Sequence, residues 1–255
     1  MNGVEKLNRI VSSAKNIVFF GGAGVSTESG IPDFRSADGL YNEKTIYPPE
    51  TILSHDFFLS KTAAFYEFYK TKMIFLHAEP NACHIKLALL EKNGPLKAVV
   101  TQNIDGLHRK AGSENVFELH GSVYRNHCVS CGKKYGVEKI IDSVGVPFCV
   151  CGGVIKPDVV LYGETLDENV VAGAIGHIGR ADVLIVGGTS LGVYPAAGLC
   201  GYFNGKSLVL INKTETHLDR NADLIIRENI GEVFSRIDVQ TPDLINSKGN
   251  IHEDA

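Results

Sequence analysis

Four short apolar runs, each ending on glycine or a polar residue, restrict what this 255-residue chain can fold into. Residues 16–20 (NIVFF) run into Gly21-Gly22, and residues 97–101 (KAVVT) run into Gln102-Asn103. Residues 181–186 (ADVLIV) run into Gly187-Gly188, and residues 207–211 (SLVLI) into Asn212. Short runs without polar alternation describe strands buried on both faces, the condition of a parallel sheet covered by helices. Helical spacing fills the gaps. Val4, Leu7, Ile10 and Val11 share one side of residues 4–13, residues 63–77 are rich in Phe and Tyr, and Cys83, Leu87 and Leu90 recur within residues 81–92. These stripes read as packing. The expected fold is α/β, with ligands at the carboxyl ends of the strands.

Residues 36–77 and 124–156 interrupt the pattern and are assigned to a smaller inserted lobe. The expected organisation is a single domain over residues 1–240, with a polar tail at 241–255. Its Rossmann-like core comprises residues 1–35, 78–123 and 157–240. The lobe is helical in its first segment and carries four of the six cysteines in its second.

The turn Gly21-Gly22-Ala23-Gly24-Val25-Ser26-Thr27 follows a strand, where glycines let the backbone approach a pyrophosphate and a following helix N-terminus would stabilise its charge. The dinucleotide fingerprint is partial, because Thr27 stands where a third glycine would be. Glycines at such a turn also have a purely steric reading. No strand closing on an acidic residue follows about 20 residues later, which excludes a dehydrogenase-type site. The loop Ser29-Gly30-Ile31-Pro32-Asp33-Phe34-Arg35 comes instead, ending in an aromatic ring and a cation suited to a ring and a phosphate. After the second run, Gln102 and Asn103 suit sugar hydroxyls and Asp105 suits a carboxamide, although Asn and Asp also favour plain turns. His120, followed by Gly121, is a candidate general base or a structural histidine.

Cys128-x-x-Cys131 and Cys149-x-Cys151 lie 17 residues apart, a zinc-ribbon signature. Four thiolates close the coordination shell, so this Zn2+ would be structural. A disulfide pair is the rival reading. Cys83 and Cys200 are isolated and read as core residues. A formal net charge of -4 argues against a dedicated nucleic-acid binder. No run approaches the roughly 18 apolar residues of a membrane span, and the first sixteen residues lack a signal-peptide core. The expected location is cytoplasmic.

In combination these segments resemble the sirtuin (Sir2) family of NAD-dependent protein deacylases, of bacterial or archaeal type. The resemblance covers about residues 16–230. It is carried by Gly22-Ala23-Gly24-Val25-Ser26, residues 29–35, residues 101–105, His120-Gly121, the four cysteines, Tyr162-Gly163-Glu164, Gly188-Thr189-Ser190 and Asn212. It implies NAD as a consumed co-substrate and one structural zinc ion on Cys128, Cys131, Cys149 and Cys151. Ala23, Thr27, Phe34 and Arg35 would contact NAD from the first loop. Gln102 would hold the nicotinamide ribose, with Asn103 and Ser26 beside it and Asn103 sharing the catalytic role. Ile104 and Asp105 would line the nicotinamide pocket, Thr189, Ser190 and Asn212 would hold the adenosine half, and Ile230 would flank the adenine.

His120 would be the base, and the products would be free lysine, nicotinamide and O-acyl-ADP-ribose. The acylated lysine substrate would add as a strand between residues 159–164 and 192–194. Family members usually carry Phe where Tyr162 stands and often Trp where Tyr41 stands. Members preferring acidic acyl groups carry a Tyr and an Arg three residues apart. Here Tyr66 is followed at that interval by Tyr69, and Tyr69 by Lys72, so strong acidic-acyl preference is not expected. The alternatives are mono-ADP-ribosyl transfer from the same site and a catalytically silent NAD- or zinc-binding module.

Overall fold

The computed structural model describes residues 2–34, 36, 39–42 and 45–239. Arg35 and the 241–255 tail lie outside the described residues. The described strands are β1 (Ile17–Gly21), β2 (Leu96–Thr101), β3 (Val116–Glu118), β4 (Gly121–Cys128), β5 (Lys134–Tyr135), β6 (Ile155–Val159), β7 (Val183–Gly187), β8 (Ser207–Ile211) and β9 (Leu224–Ile226). Six pair in parallel in the order β3-β2-β1-β7-β8-β9. Numbered along the chain within this sheet, the order is 3-2-1-4-5-6, the dinucleotide-binding arrangement, and its topological switch point falls between β1 and β7.

Every residue of β1 and β7 is buried, which is why both read as unbroken apolar runs. Alternate side chains serve opposite faces: Ile17 and Phe19 belong to one core cluster, Val18 and Phe20 to the other. The helices are α1 (Gly3–Ser13), α2 (Pro49–Ile52), α3 (His55–Ser60), α4 (Thr62–Lys72), α5 (Ala82–Lys92), α6 (Leu107–Lys110), α7 (Val137–Ile141), α8 (Glu168–Arg180) and α9 (Ile230–Ser235). An Asn2/Glu5 capping box starts α1, which buries Val4, Leu7 and Val11. The first face is covered by α1, α5 and α9 through Leu7, Leu87 and Phe234, and the second by α8 through Ala174 and Ile178. Among the described residues, no helix is long and apolar enough to cross a membrane.

Both interrupting segments share a third core. Phe57, Phe58, Phe65, Tyr66 and Tyr69 from α3 and α4 pack with Val123, Ile140, Ile155, Cys128 and Cys149. An antiparallel sheet ordered β5-β4-β6 completes this lobe, and the Tyr66 hydroxyl donates to the Ile155 carbonyl across it. The expected helix over residues 63–77 stops at Lys72.

The glycine turn does not lead into an α-helix as expected. Two single 3-10 turns follow, Ala23–Val25 and Thr27–Ser29. Gly30, at φ 82°, ends the second, and Pro32 lies two residues beyond. The Thr27 hydroxyl bonds back to the Gly24 carbonyl at 3.1 Å, a local competitor to helix propagation.

Beneath these loops His84 of α5 and His108 of α6 are buried with ring centroids 4.7 Å apart. His84 Nδ1 lies 3.2 Å from the Asn81 N–H and 3.1 Å from Asn81 Oδ1, within the capping box that starts α5. Burial holds the His84 imidazole down at about 4 and pushes His108 well below the ordinary value as well. The unfolded chain therefore binds protons in this range that the folded chain does not, and stability is lost as pH falls from 6.5 toward 4. For His84 alone the loss amounts to about 3 kcal/mol. A urea midpoint unchanged between pH 7 and pH 5 would refute this.

Candidate functional site

The switch point brings two glycine turns together. The Gly22 and Gly24 N–H groups donate to the Gly187 and Gly188 carbonyls at 3.3 and 2.8 Å. A Cβ on Gly24 would lie 2.8 Å from Gly188 Cα, and one on Gly188 would lie 2.4 Å from the Val25 nitrogen. Gly188 also has φ +59°. Backbone-on-backbone contact between the loops after β1 and β7 is thus a concrete requirement for these glycines.

At the carboxyl end of β2, Asn103 Nδ2 donates to Ser26 Oγ at 3.1 Å, and Ser26 Oγ donates to Asp105 Oδ2 at 2.6 Å. The Leu107 N–H holds the other oxygen of Asp105 at 2.9 Å. Burial raises the Asp105 carboxyl above its ordinary value despite these bonds. Gln102 Nε2 reaches Thr189 Oγ1 at 3.1 Å, while Asn212 brackets Thr189 by accepting from its N–H at 3.0 Å and donating to its carbonyl at 2.7 Å. The ends of β1, β2, β7 and β8 are thereby tied into one polar floor.

His120 sits between β3 and β4. Its Nδ1 lies 2.9 Å from the Gln102 carbonyl, which only accepts, so Nδ1 carries the proton and Nε2 is left as a bare base. Burial lowers the His120 pKa, and the Gln102 bond opposes that shift. Gly121 turns the chain into β4 with φ +77°, where an added Cβ would stand 1.7 Å from the Asp158 carbonyl oxygen. Gly121→Ala is expected to cost more than about 3 kcal/mol and to displace His120. Thermal unfolding together with turnover checks this; a variant that melts and turns over like the wild type would overturn it.

These groups border one cavity of about 930 Å³, within the range of cofactor-sized pockets. Ala23, Thr27, Phe34, Gln102, Asn103, Ile104, Asp105, His120, Thr189, Ser190, Asn212 and Ile230 all line it. Arg35 falls outside the described residues. Sequence reading missed Glu28, Lys213, Thr214, Glu228 and Asn229, which also line the cavity, because they sit in a single 3-10 turn or in loops too short to show a period. Lys72, Met73 and Phe75 also line the cavity, whereas Tyr66 and Tyr69 are buried in the small lobe. Tyr41 and Tyr162, both unusual against the family pattern, place their hydroxyls 2.6 Å apart.

The four cysteine sulfurs lie within 4.8 Å of one another, with Cys128–Cys151 at 3.5 Å and Cys131–Cys149 at 3.6 Å. Zinc–thiolate bonds of about 2.3 Å in a tetrahedron space the sulfurs by roughly 3.8 Å, so the donor set fits Zn2+. All six cysteines are free, which removes the disulfide reading for this structure.

A parallel sheet of dinucleotide order, a polar floor at its switch point and a four-cysteine ribbon define the class. The sequence model of the Sir2 family matches residues 22–195, and the chain belongs to that family. It is 59% identical over 238 residues to an NAD-dependent protein deacetylase of Clostridium perfringens, covering 92% of this chain and 98% of that protein. Among solved structures it is similar to a Sir2 protein described with a deacetylated p53 peptide and 3'-O-acetyl-ADP-ribose. That likeness has a TM-score of 0.85 at 40% identity, covering 92% of this chain and 97% of the other. A Sir2 homologue–NAD complex matches with a TM-score of 0.82 at 40% identity, covering 90% of each chain.

Proposed function

We propose that this chain is an NAD-dependent protein lysine deacetylase, releasing nicotinamide and O-acetyl-ADP-ribose. The observation that carries the reading is His120: a bare Nε2 on a cavity wall, with its tautomer set by the Gln102 carbonyl. NAD supplies the ribose carbon and the leaving nicotinamide. The chain's own residues orient the reactants and exclude water. Close backbone approach at Gly22, Gly24 and Gly188 locks the two loops together, and the first of them would face the pyrophosphate along the cavity wall. Asp105 would accept from the carboxamide. Gln102, Asn103 and Ser26 face the ribose hydroxyls, and His120 takes a ribose proton. Thr189, Ser190 and Asn212 would hold the adenosine half with Ile230 beside the adenine, while Ala23, Thr27 and Phe34, together with Arg35, would cover NAD from the first loop. One Zn2+ on the four cysteines holds the small lobe. We read residues 1–240 as one catalytic unit, located in the cytoplasm, where thiols stay reduced.

The acetylated peptide would add as a strand between residues 159–164 and 192–194. Supporting this, the Val160 carbonyl and both main-chain groups of Gly163 make no hydrogen bond among the described residues. An acetyl-lysine peptide should release nicotinamide only when NAD is present, and a succinyl-lysine peptide should react more slowly because no arginine lines the cavity among the described residues. Deacetylation without NAD, or no reaction with any acyl chain, would sink the proposal.

A further inference from the structure

One charge cluster, of Lys156, Glu164 and His55, takes no part in the hydrogen bonds of the NAD-facing floor, although Glu164 lines the same cavity. Lys156, on β6, is 9% exposed, an unusual place for an ammonium group. Its Nζ donates to the Pro157 carbonyl at 3.2 Å, the Val159 carbonyl at 3.1 Å and Glu164 Oε2 at 3.0 Å. All three donors are thus used within the following eight residues. Glu164 is equally occupied. Its Oε2 also accepts from the Leu161 N–H at 2.9 Å, and its Oε1 lies 2.8 Å from His55 Nδ1. Burial would raise the Glu164 carboxyl, but the bonds from Leu161, His55 and Lys156 outweigh it and hold the group below its ordinary value.

His55 opens α3 in the small lobe, and the chain beside it is fixed to the same edge. The Tyr162 N–H donates to the Leu53 carbonyl and the His55 N–H donates to the Tyr162 carbonyl, both at 2.9 Å. At the other end, the Val160 N–H donates to the His120 carbonyl at 3.0 Å. The edge therefore spans the distance from His120 to the small lobe, and the Lys156–Glu164 pair closes it into a fixed loop.

A buried ion pair is a poor way to gain stability, since an apolar pair of the same volume often does as well. What it does here is satisfy chosen main-chain groups. Val159 O, Leu161 N and both groups of Tyr162 are consumed internally, which leaves Val160 O and Gly163 N and O open. Val160 O lies where the chain leaves β6, and the Gly163 groups lie in the Leu161–Glu164 turn, where Gly163 has φ +90°; these are the main-chain groups left to meet a peptide.

We infer that Lys156, Glu164 and His55 form a positioning cluster that presents the 159–164 edge to the acyl-peptide strand and ties peptide capture to the small lobe. This rests on the deacetylase reading above. None of the three touches the reacting atoms in this assignment; they act through the backbone they hold.

The test is steady-state kinetics on the zinc-loaded enzyme with an acetyl-lysine peptide and NAD, each varied in turn. Glu164→Gln keeps an acceptor for Leu161 but loses the charge that faces Lys156. It should raise the peptide KM about tenfold, with the NAD KM and kcat changed less than about threefold. His55 is half-exposed, so His55→Ala should fold if Glu164→Gln does not; it should raise the peptide KM about threefold, and His55→Asn should restore part of the loss. Polarisation of a fluorescent acetyl-lysine peptide should show the same order of affinities. Peptide and NAD KM values that rise together, or a peptide KM unmoved in both variants while the melting temperature falls, would reduce the cluster to a purely structural role and overturn the assignment. A wild-type chain that neither binds nor turns over the peptide would overturn the deacetylase reading itself, and this assignment with it.

Discussion

His120→Ala is expected to lower kcat by about 10²- to 10⁴-fold, the usual contribution of a positioned general base. No other described histidine can take over. His84 and His108 are buried beneath the loops, His55 and His127 face Glu164 and Asp158, and only His120 among the described histidines lines the cavity. The neighbouring Asn103–Ser26–Asp105 chain does not involve His120, so NAD affinity should change little. Zinc content should be unaltered. The same residue sets the acid limb of the pH profile. The base works when neutral, and burial keeps its pKa below the ordinary 6.5. The kcat/KM of the wild type should therefore hold down to pH 6.5 and fall with a midpoint below it. An acid limb centred above 6.5, or a variant that keeps full turnover, would remove His120 from the role of base.

Much of the sheet was legible because its central strands are buried on both faces. Residues 17–21 and 183–187 have no exposed position to interrupt the apolar run. The edge strands β3 and β9 are three residues each, too short to show a period, and β9 exposes Ile225 between two buried neighbours. The cysteines announced their ribbon because metal geometry fixes local spacing.

Long-range causes left no such trace. Gly24 and Gly188 are 164 positions apart, and only the fold reveals that each excludes a side chain from the other. The glycine turn was expected to start a helix. The Thr27 hydroxyl bonded back to Gly24, together with Gly30 and Pro32, instead confines it to single 3-10 turns. Lys156 lies on the five-residue β6 and Glu164 in the turn beyond it, and nothing in their spacing announces a shared charge. His120 stood as a candidate base from its own setting, and resemblance gave it and Asn103 their catalytic roles; what the structure adds is the His120 tautomer and the hydrogen-bonded floor that joins four strand ends.

Removing the metal from the cysteine ribbon is expected to have the largest effect on stability. Cys128 and Cys149 belong to the same core cluster as Phe57, Tyr66 and Ile155, so the ribbon is part of the small-lobe core and not an appendage to it. Four thiol groups within 4.8 Å have no apolar substitute for the ion that would hold them. Structural zinc supplies on the order of 10 kcal/mol of apparent folding free energy, comparable with the roughly 5–15 kcal/mol by which whole domains are stable. Its loss should release β4–β6 and with them the α3–α4 packing. The 159–164 edge would follow, since Tyr162 is bonded to Leu53 and His55 of that lobe. Cys149→Ser should therefore yield a chain with less than one zinc per molecule, early proteolytic cleavage within residues 124–156 and little deacetylation. The six-stranded sheet, whose cores lie in separate clusters, should resist cleavage longer. Metal analysis, timed proteolysis and turnover on one preparation decide the matter. A zinc-free chain with wild-type melting temperature and activity would show that the four cysteines do not hold the lobe together through a metal.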